Sequence, residues 1–95
     1  MAESEIIKEI ENFIDGKISN WYVGISNDAE RRLKEHGVVL KPANTSWIYR
    51  KAPSDEIARK IEKYFHDKGA DGDTGGGDND CKFVYAYLKN GQTKP

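Results

Sequence analysis

Three segments with helical periodicity alternate with three strand-patterned segments along only 95 residues, and this alternation constrains the fold most. Each helical stripe has to cover a sheet, and a chain of this length builds one core rather than two. Ile6, Ile7, Ile10, Phe13 and Ile14 recur at helical spacing, with Glu5, Lys8, Glu9 and Glu11 between them, which predicts a helix over residues 5–15. Ser4 is its expected cap and Gly16 its left-handed stop. Residues 17–25 read as a strand, with Trp21, Val23 and Ile25 on one face and Tyr22 and Gly24 on the other. Asn27 followed by Glu30 is a capping-box pattern, opening a short helix that ends at His36 before Gly37.

A loop containing Pro42 leads to a second strand over residues 46–51, which carries Trp47, Ile48 and Tyr49. Pro53 ends it, and Ser54, Asp55 and Glu56 begin a third helix whose apolar face is Ile57, Ala58, Ile61, Tyr64 and Phe65. After Gly69, residues 69–80 form an acidic, glycine-rich connector, expected to be mobile. Residues 82–89 are the last strand, with Phe83, Tyr85 and Tyr87 alternating against Val84, Ala86 and Leu88. Asn90-Gly91 is a turn signal, and residues 91–95 are expected to fray. The expected class is α+β: a small three-stranded, mostly antiparallel sheet flanked by three helices, in the order α-β-α-β-α-β, with residues 1–95 as one domain. The strand–helix–strand crossover between Tyr22 and Tyr49 favours two parallel strands, and a gap between them would accept the C-terminal strand in antiparallel orientation.

Composition narrows the setting. A hydrophobic share of 37% and a mean hydropathy of −0.81 are low but globular. No apolar run approaches a membrane span, and Met1-Ala2-Glu3-Ser4-Glu5 is acidic where a signal peptide would be basic. Cys81 stands alone, which excludes an intramolecular disulfide and a Cys-rich zinc site. A cytoplasmic monomer, away from membranes, is the default expectation. The net charge of −1 hides an asymmetry: residues 1–30 sum to about −5, residues 31–68 to about +5 and residues 69–95 to about −1. A basic middle between acidic ends suits contact with phosphate on one face, although soluble helices carry mixed charge for solubility alone.

Chemistry concentrates between Tyr22 and His36. Tyr22-Val23-Gly24 leads into Ser26-Asn27-Asp28-Ala29-Glu30-Arg31-Arg32-Leu33-Lys34-Glu35-His36. Arg32 and His36 are one helical turn apart and share a stripe, while Ala29 and Leu33 form the neighbouring stripe that would anchor the helix to the sheet. Tyr22 and Gly24 share a strand face, and Gly24 permits close approach of backbone or substrate. Tyrosine, arginine and histidine suit phosphodiester hydrolysis, which needs an activated water, neutralisation of transition-state charge and help for the leaving oxygen. Each residue alone has an ordinary structural reading; the joint pattern is what carries information.

That pattern resembles the second signature of the GIY-YIG nucleases: a strand ending Tyr-Ile/Val-Gly, then a helix bearing Arg and often His or Tyr, at the spacing seen here for Tyr22, Arg32 and His36. The resemblance covers about 16 residues well. It implies a GIY-YIG-like domain acting as a metal-dependent DNA endonuclease. Tyr22 would position or deprotonate the attacking water, Arg32 would stabilise the transition state, and His36 would assist proton transfer. The family's metal-binding glutamate lies on a later helix, which points to Glu62 as ligand of a single Mg²⁺ or Mn²⁺. Paired with Lys63 or Arg59, Glu62 is otherwise an ordinary helix glutamate. Contacts with DNA would fall on the basic stretch through Arg31, Lys34, Arg59 and Lys63.

The chain departs from the family at its start. The Gly-Ile-Tyr strand should precede Tyr22, but residues 7–15 are helical in pattern. The C-terminal Val84-Tyr85-Ala86-Tyr87, followed by Asn90-Gly91, resembles the missing strand in permuted order, with Tyr85 as the second tyrosine. A non-catalytic interaction module on a degenerate GIY-YIG scaffold is the alternative. Two further patterns are weaker. Asp71-Gly72-Asp73-Thr74-Gly75-Gly76 imitates a calcium loop, but Gly75 and Lys82 fall where ligands belong. Gly75-Gly76-Gly77 follows a helix and precedes a strand, the reverse of a phosphate cradle.

Overall fold

In a computed structural model the described residues are 2–40, 46–72, 81–91, 93 and 94. The amphipathic stripes and alternating segments become helices α1 (Glu3–Phe13), α2 (Ala29–Glu35) and α3 (Asp55–Asp67), and strands β1 (Trp21–Ser26), β2 (Trp47–Lys51) and β3 (Phe83–Leu88). A single 3₁₀ turn, Ile18–Asn20, precedes β1. The α-β-α-β-α-β order and the α+β class are as the patterning implies.

Boundaries differ where capping differs. Helix α1 starts at Glu3 rather than residue 5, because Glu5 Oε1 accepts from the Ala2 amide at 3.1 Å and closes the first turn before Ser4. Gly16, expected as its stop, lies beyond the end of the helix. At α2 the cap is Asp28, whose carboxylate accepts from the Arg31 amide at 3.1 Å, while Asn27 instead takes the Arg31 guanidinium at 2.9 Å. Ser54 caps α3 as expected, accepting from the Ile57 amide at 3.2 Å. Gly37 (φ +86°) and Gly69 (φ +112°) follow α2 and α3 in the left-handed region.

The strand order is β1-β3-β2, with β3 antiparallel to both neighbours. The last strand therefore fills the gap between two parallel ones. Register places Tyr22 opposite Tyr87, Gly24 opposite Tyr85, and Tyr49 on the other side of Tyr85. The free edge of β1 is partly covered: Val23 donates its amide to the Asp71 carbonyl and Asp71 donates to the Trp21 carbonyl, both at 2.9 Å. The connector after α3 thus begins as a strand partner, and its remainder, residues 73–80, lies outside the described residues together with the expected mobility and Asp73 and Asp78.

Alternation sends the two sets of side chains into different layers. Trp21, Val23, Ile48, Val84 and Ala86 pack against Ile6 and Ile10 of α1 and Ala58, Ile61 and Phe65 of α3. Tyr22, Tyr85 and Tyr87 pack against Ala29 and Leu33 of α2, with Val38. Central β3 is buried on both faces, so its aromatic and its aliphatic residues are both core. Among the described residues, no helix is long and apolar enough to cross a membrane.

Candidate functional site

The aromatic face gathers residues from β1, β3, α2 and the C-terminal tail. Tyr22 stacks on Tyr87 with ring centroids 5.1 Å apart and on Tyr85 at 6.1 Å, and the His36 ring lies 4.6 Å from Tyr22. His36 sits just after α2, where the helix hands its last turn to the chain below the sheet face. Its Nε2 is 2.9 Å from the Tyr85 hydroxyl. Its Nδ1 is 2.7 Å from the Lys94 carbonyl and 3.2 Å from the Tyr87 hydroxyl. Gly24 completes the wall: a Cβ there would lie 2.7 Å from the Tyr85 hydroxyl, so the space freed by the missing side chain holds that hydroxyl.

Arg32 brings charge to this group. Its guanidinium bonds Glu35 at 2.9 Å, and that bond raises its affinity for the proton, with the Tyr85 hydroxyl adding to the effect. Burial pushes the Tyr85 hydroxyl well above the usual tyrosine range, and neighbouring Tyr22 adds to this, while the Arg32 charge pulls the other way. Tyr22 and Tyr85 are 2% and 1% exposed, whereas Arg32 is half-buried and marks where solvent reaches the cluster. The structure therefore brings together four of the expected residues: Tyr22, Arg32, His36 and Tyr85.

The remaining expected residues lie elsewhere. Glu62 is half-buried on α3, in the layer across the sheet, one turn before His66, whose Nε2 donates to the Val23 carbonyl at 2.8 Å. Its helix packs against the aliphatic face through Ala58, Ile61 and Phe65. Among the described residues, no three His, Cys, Asp or Glu side chains gather around one point. A lone carboxylate still suits Mg²⁺ or Mn²⁺ that keeps most of its own water. The four basic residues divide between layers: Arg31 and Lys34 are exposed on α2, while Arg59 pairs with Asp55 at 3.9 Å and Lys63 with Asp67 at 3.1 Å on α3. They do not form one surface, because α2 and α3 flank opposite faces of the sheet. Asp71, first of the calcium-like pattern, bonds Lys89 at 3.2 Å, which holds its carboxyl below the usual range.

Two participants escape a reading of the sequence. Tyr87 had a signal, since it alternates in phase with Tyr85. Lys94 had none: it contributes its main chain, with its amide donating to the His36 carbonyl at 2.7 Å. Comparison with protein-family models, with curated proteins and with solved structures returns no match.

Proposed function

We propose that this protein hydrolyses phosphodiester bonds in DNA, as a GIY-YIG-like endonuclease. One observation carries the reading: the Tyr85 hydroxyl lies 2.9 Å from His36 Nε2 with the Arg32 guanidinium against it, joining residues from β3 and α2 that are far apart in the chain. A phosphate approaching from the solvent side meets Arg32 first and exchanges with Glu35, a pair exposed enough to open at little cost. With Arg32 on the phosphate, an attacking water is held at the tyrosine hydroxyls. Tyr85 takes the water proton as it passes its own to the imidazole, and Tyr22 fixes the ring from below. Water oxygen bonds to phosphorus, the bond to the leaving ester oxygen breaks, and the imidazolium is the proton source for that oxygen. Arg32 offsets the charge that builds on the non-bridging oxygens. Glu62 lies on α3, in the layer across the sheet from Arg32 and Tyr85, so a Mg²⁺ or Mn²⁺ held there would not reach this phosphate, and the step runs on the side chains of the aromatic face alone.

A second reading, a non-catalytic interaction module, is favoured by the depth of the tyrosines, since side chains 1–2% exposed are ordinary core. Plasmid nicking by pure protein with Mg²⁺ or Mn²⁺ separates the two. The nuclease reading expects nicking that falls by roughly 10²-fold or more in Arg32→Ala. Equal absence of nicking in both folded proteins would leave the module.

A further inference from the structure

We propose that the main chain of Lys94 is a positioning group that selects the tautomer of His36, and so decides which ring nitrogen is free to act on Tyr85. A carbonyl oxygen can only accept a hydrogen bond. With the Lys94 carbonyl 2.7 Å from Nδ1, that nitrogen carries the hydrogen. A neutral imidazole has one N–H, so Nε2 keeps its lone pair, and the Tyr85 hydroxyl at 2.9 Å donates to it. The opposite tautomer would set the Nδ1 lone pair of a ring only 5% exposed against the carbonyl lone pairs 2.7 Å away, leaving two acceptors facing each other. The third polar neighbour does not decide the matter: the Tyr87 hydroxyl, 3.2 Å from Nδ1, can either donate or accept.

The carbonyl is held in place by more than this one bond. The Lys94 amide donates to the His36 carbonyl at 2.7 Å, so one residue of the tail grips one residue of α2's end from both sides. A knotted turn supports the grip. Asn90 donates its amide to Thr93 Oγ1 at 3.0 Å, and Thr93 returns its amide to Asn90 Oδ1 and its hydroxyl to the Asn90 carbonyl, both at 3.1 Å. When His36 accepts the Tyr85 proton and becomes imidazolium, its Nδ1–H still donates to the same carbonyl, which then faces a full positive charge. The tail therefore orients the base in its resting form and stabilises its charged form. The catalytic consequence rests on the nuclease reading; the tautomer assignment does not.

The test is ¹⁵N NMR of the histidine rings in the full chain, with nicking rates measured in parallel. The parent should show His36 protonated at Nδ1 and bare at Nε2. Lys94→Ala, which keeps the main chain, should keep that pattern. Lys94→Pro, which lacks the amide donor, and the double variant Asn90→Ala with Thr93→Ala, which releases the turn, should give mixed tautomers. Their nicking rate should fall roughly 10²-fold with KM held. If Lys94→Pro does not fold, the double variant decides. Tautomers that respond to the tail in a protein that never nicks would remove the nuclease reading and uphold the positioning. A parent protonated at Nε2, or a folded Lys94→Pro or Asn90→Ala/Thr93→Ala variant with the parent's spectrum, overturns it.

Discussion

On one face of the sheet the side chains of Val23, Val84, Ala86 and Ile48 meet α1 and α3 through carbon, whereas on the other Tyr22, Tyr85, Tyr87 and His36 meet α2 with polar atoms in their midst. The first kind of contact is non-directional and scales with the area removed from water. The second has to satisfy every buried hydroxyl and ring nitrogen, and each satisfied hydrogen bond adds only about 1 kcal/mol net. Two halves of equal depth thus do unequal work. The aliphatic face holds the chain together, and the aromatic face holds a particular arrangement of protons.

The comparison breaks most visibly at Phe65, which is fully buried between α3 and the aliphatic face. Phe65→Ala should cost about 3–5 kcal/mol in urea unfolding. A loss below about 1 kcal/mol would mean that this face is not the main store of stability. Gly24→Ala probes the opposite face by adding a single methyl where the Tyr85 hydroxyl already sits, 2.7 Å from the new Cβ. It should cost about 1–3 kcal/mol, and the Tyr85–His36 bond should disappear from the ring spectrum first. An unchanged bond would show that Tyr22 and Tyr85 yield without separating from His36.

The smallest effect is in the alkaline limb of the stability profile. Because burial raises the folded-state pKa of Tyr85, its contribution is fully present below the unfolded value of about 10 and is lost as pH climbs through the folded one. Stability should therefore decline above pH ~10, and Tyr85→Phe should flatten that decline. Equal slopes in parent and variant would mean that the hydroxyl ionises freely and that the aromatic face is looser than its packing implies.

Element type and order were legible because period 3.6 and period 2 are local signals, and both survive in segments such as Ile6–Ile10 and Val84–Ala86. The central place of β3 followed from a missing strand and a crossover. Which helix lies on which face was not legible, since α2 and α3 are both amphipathic and nothing local distinguishes the layers. For that reason Arg59 and Lys63 were grouped with Arg31 and Lys34 although a sheet separates them. The convergence of Tyr22, Arg32 and His36 could be read from spacing, and Tyr85 from the resemblance of its strand to the one missing before Tyr22. The grip of Lys94 on His36 could not, because a main-chain contact across 58 positions leaves no trace in side-chain chemistry.

The order β1-β3-β2 has a consequence for how the molecule comes into being. Every ladder hydrogen bond between the named strands involves Phe83–Leu88, which leaves the ribosome after both of its neighbours. Until it emerges, β1 and β2 are parallel partners with nothing between them, and the helices have no surface on which to rest. Synthesis therefore yields no partial sheet, only a chain that waits and then closes in one step. The interval before that closure is when its apolar stripes are open to chaperones, to proteases and to other copies of itself.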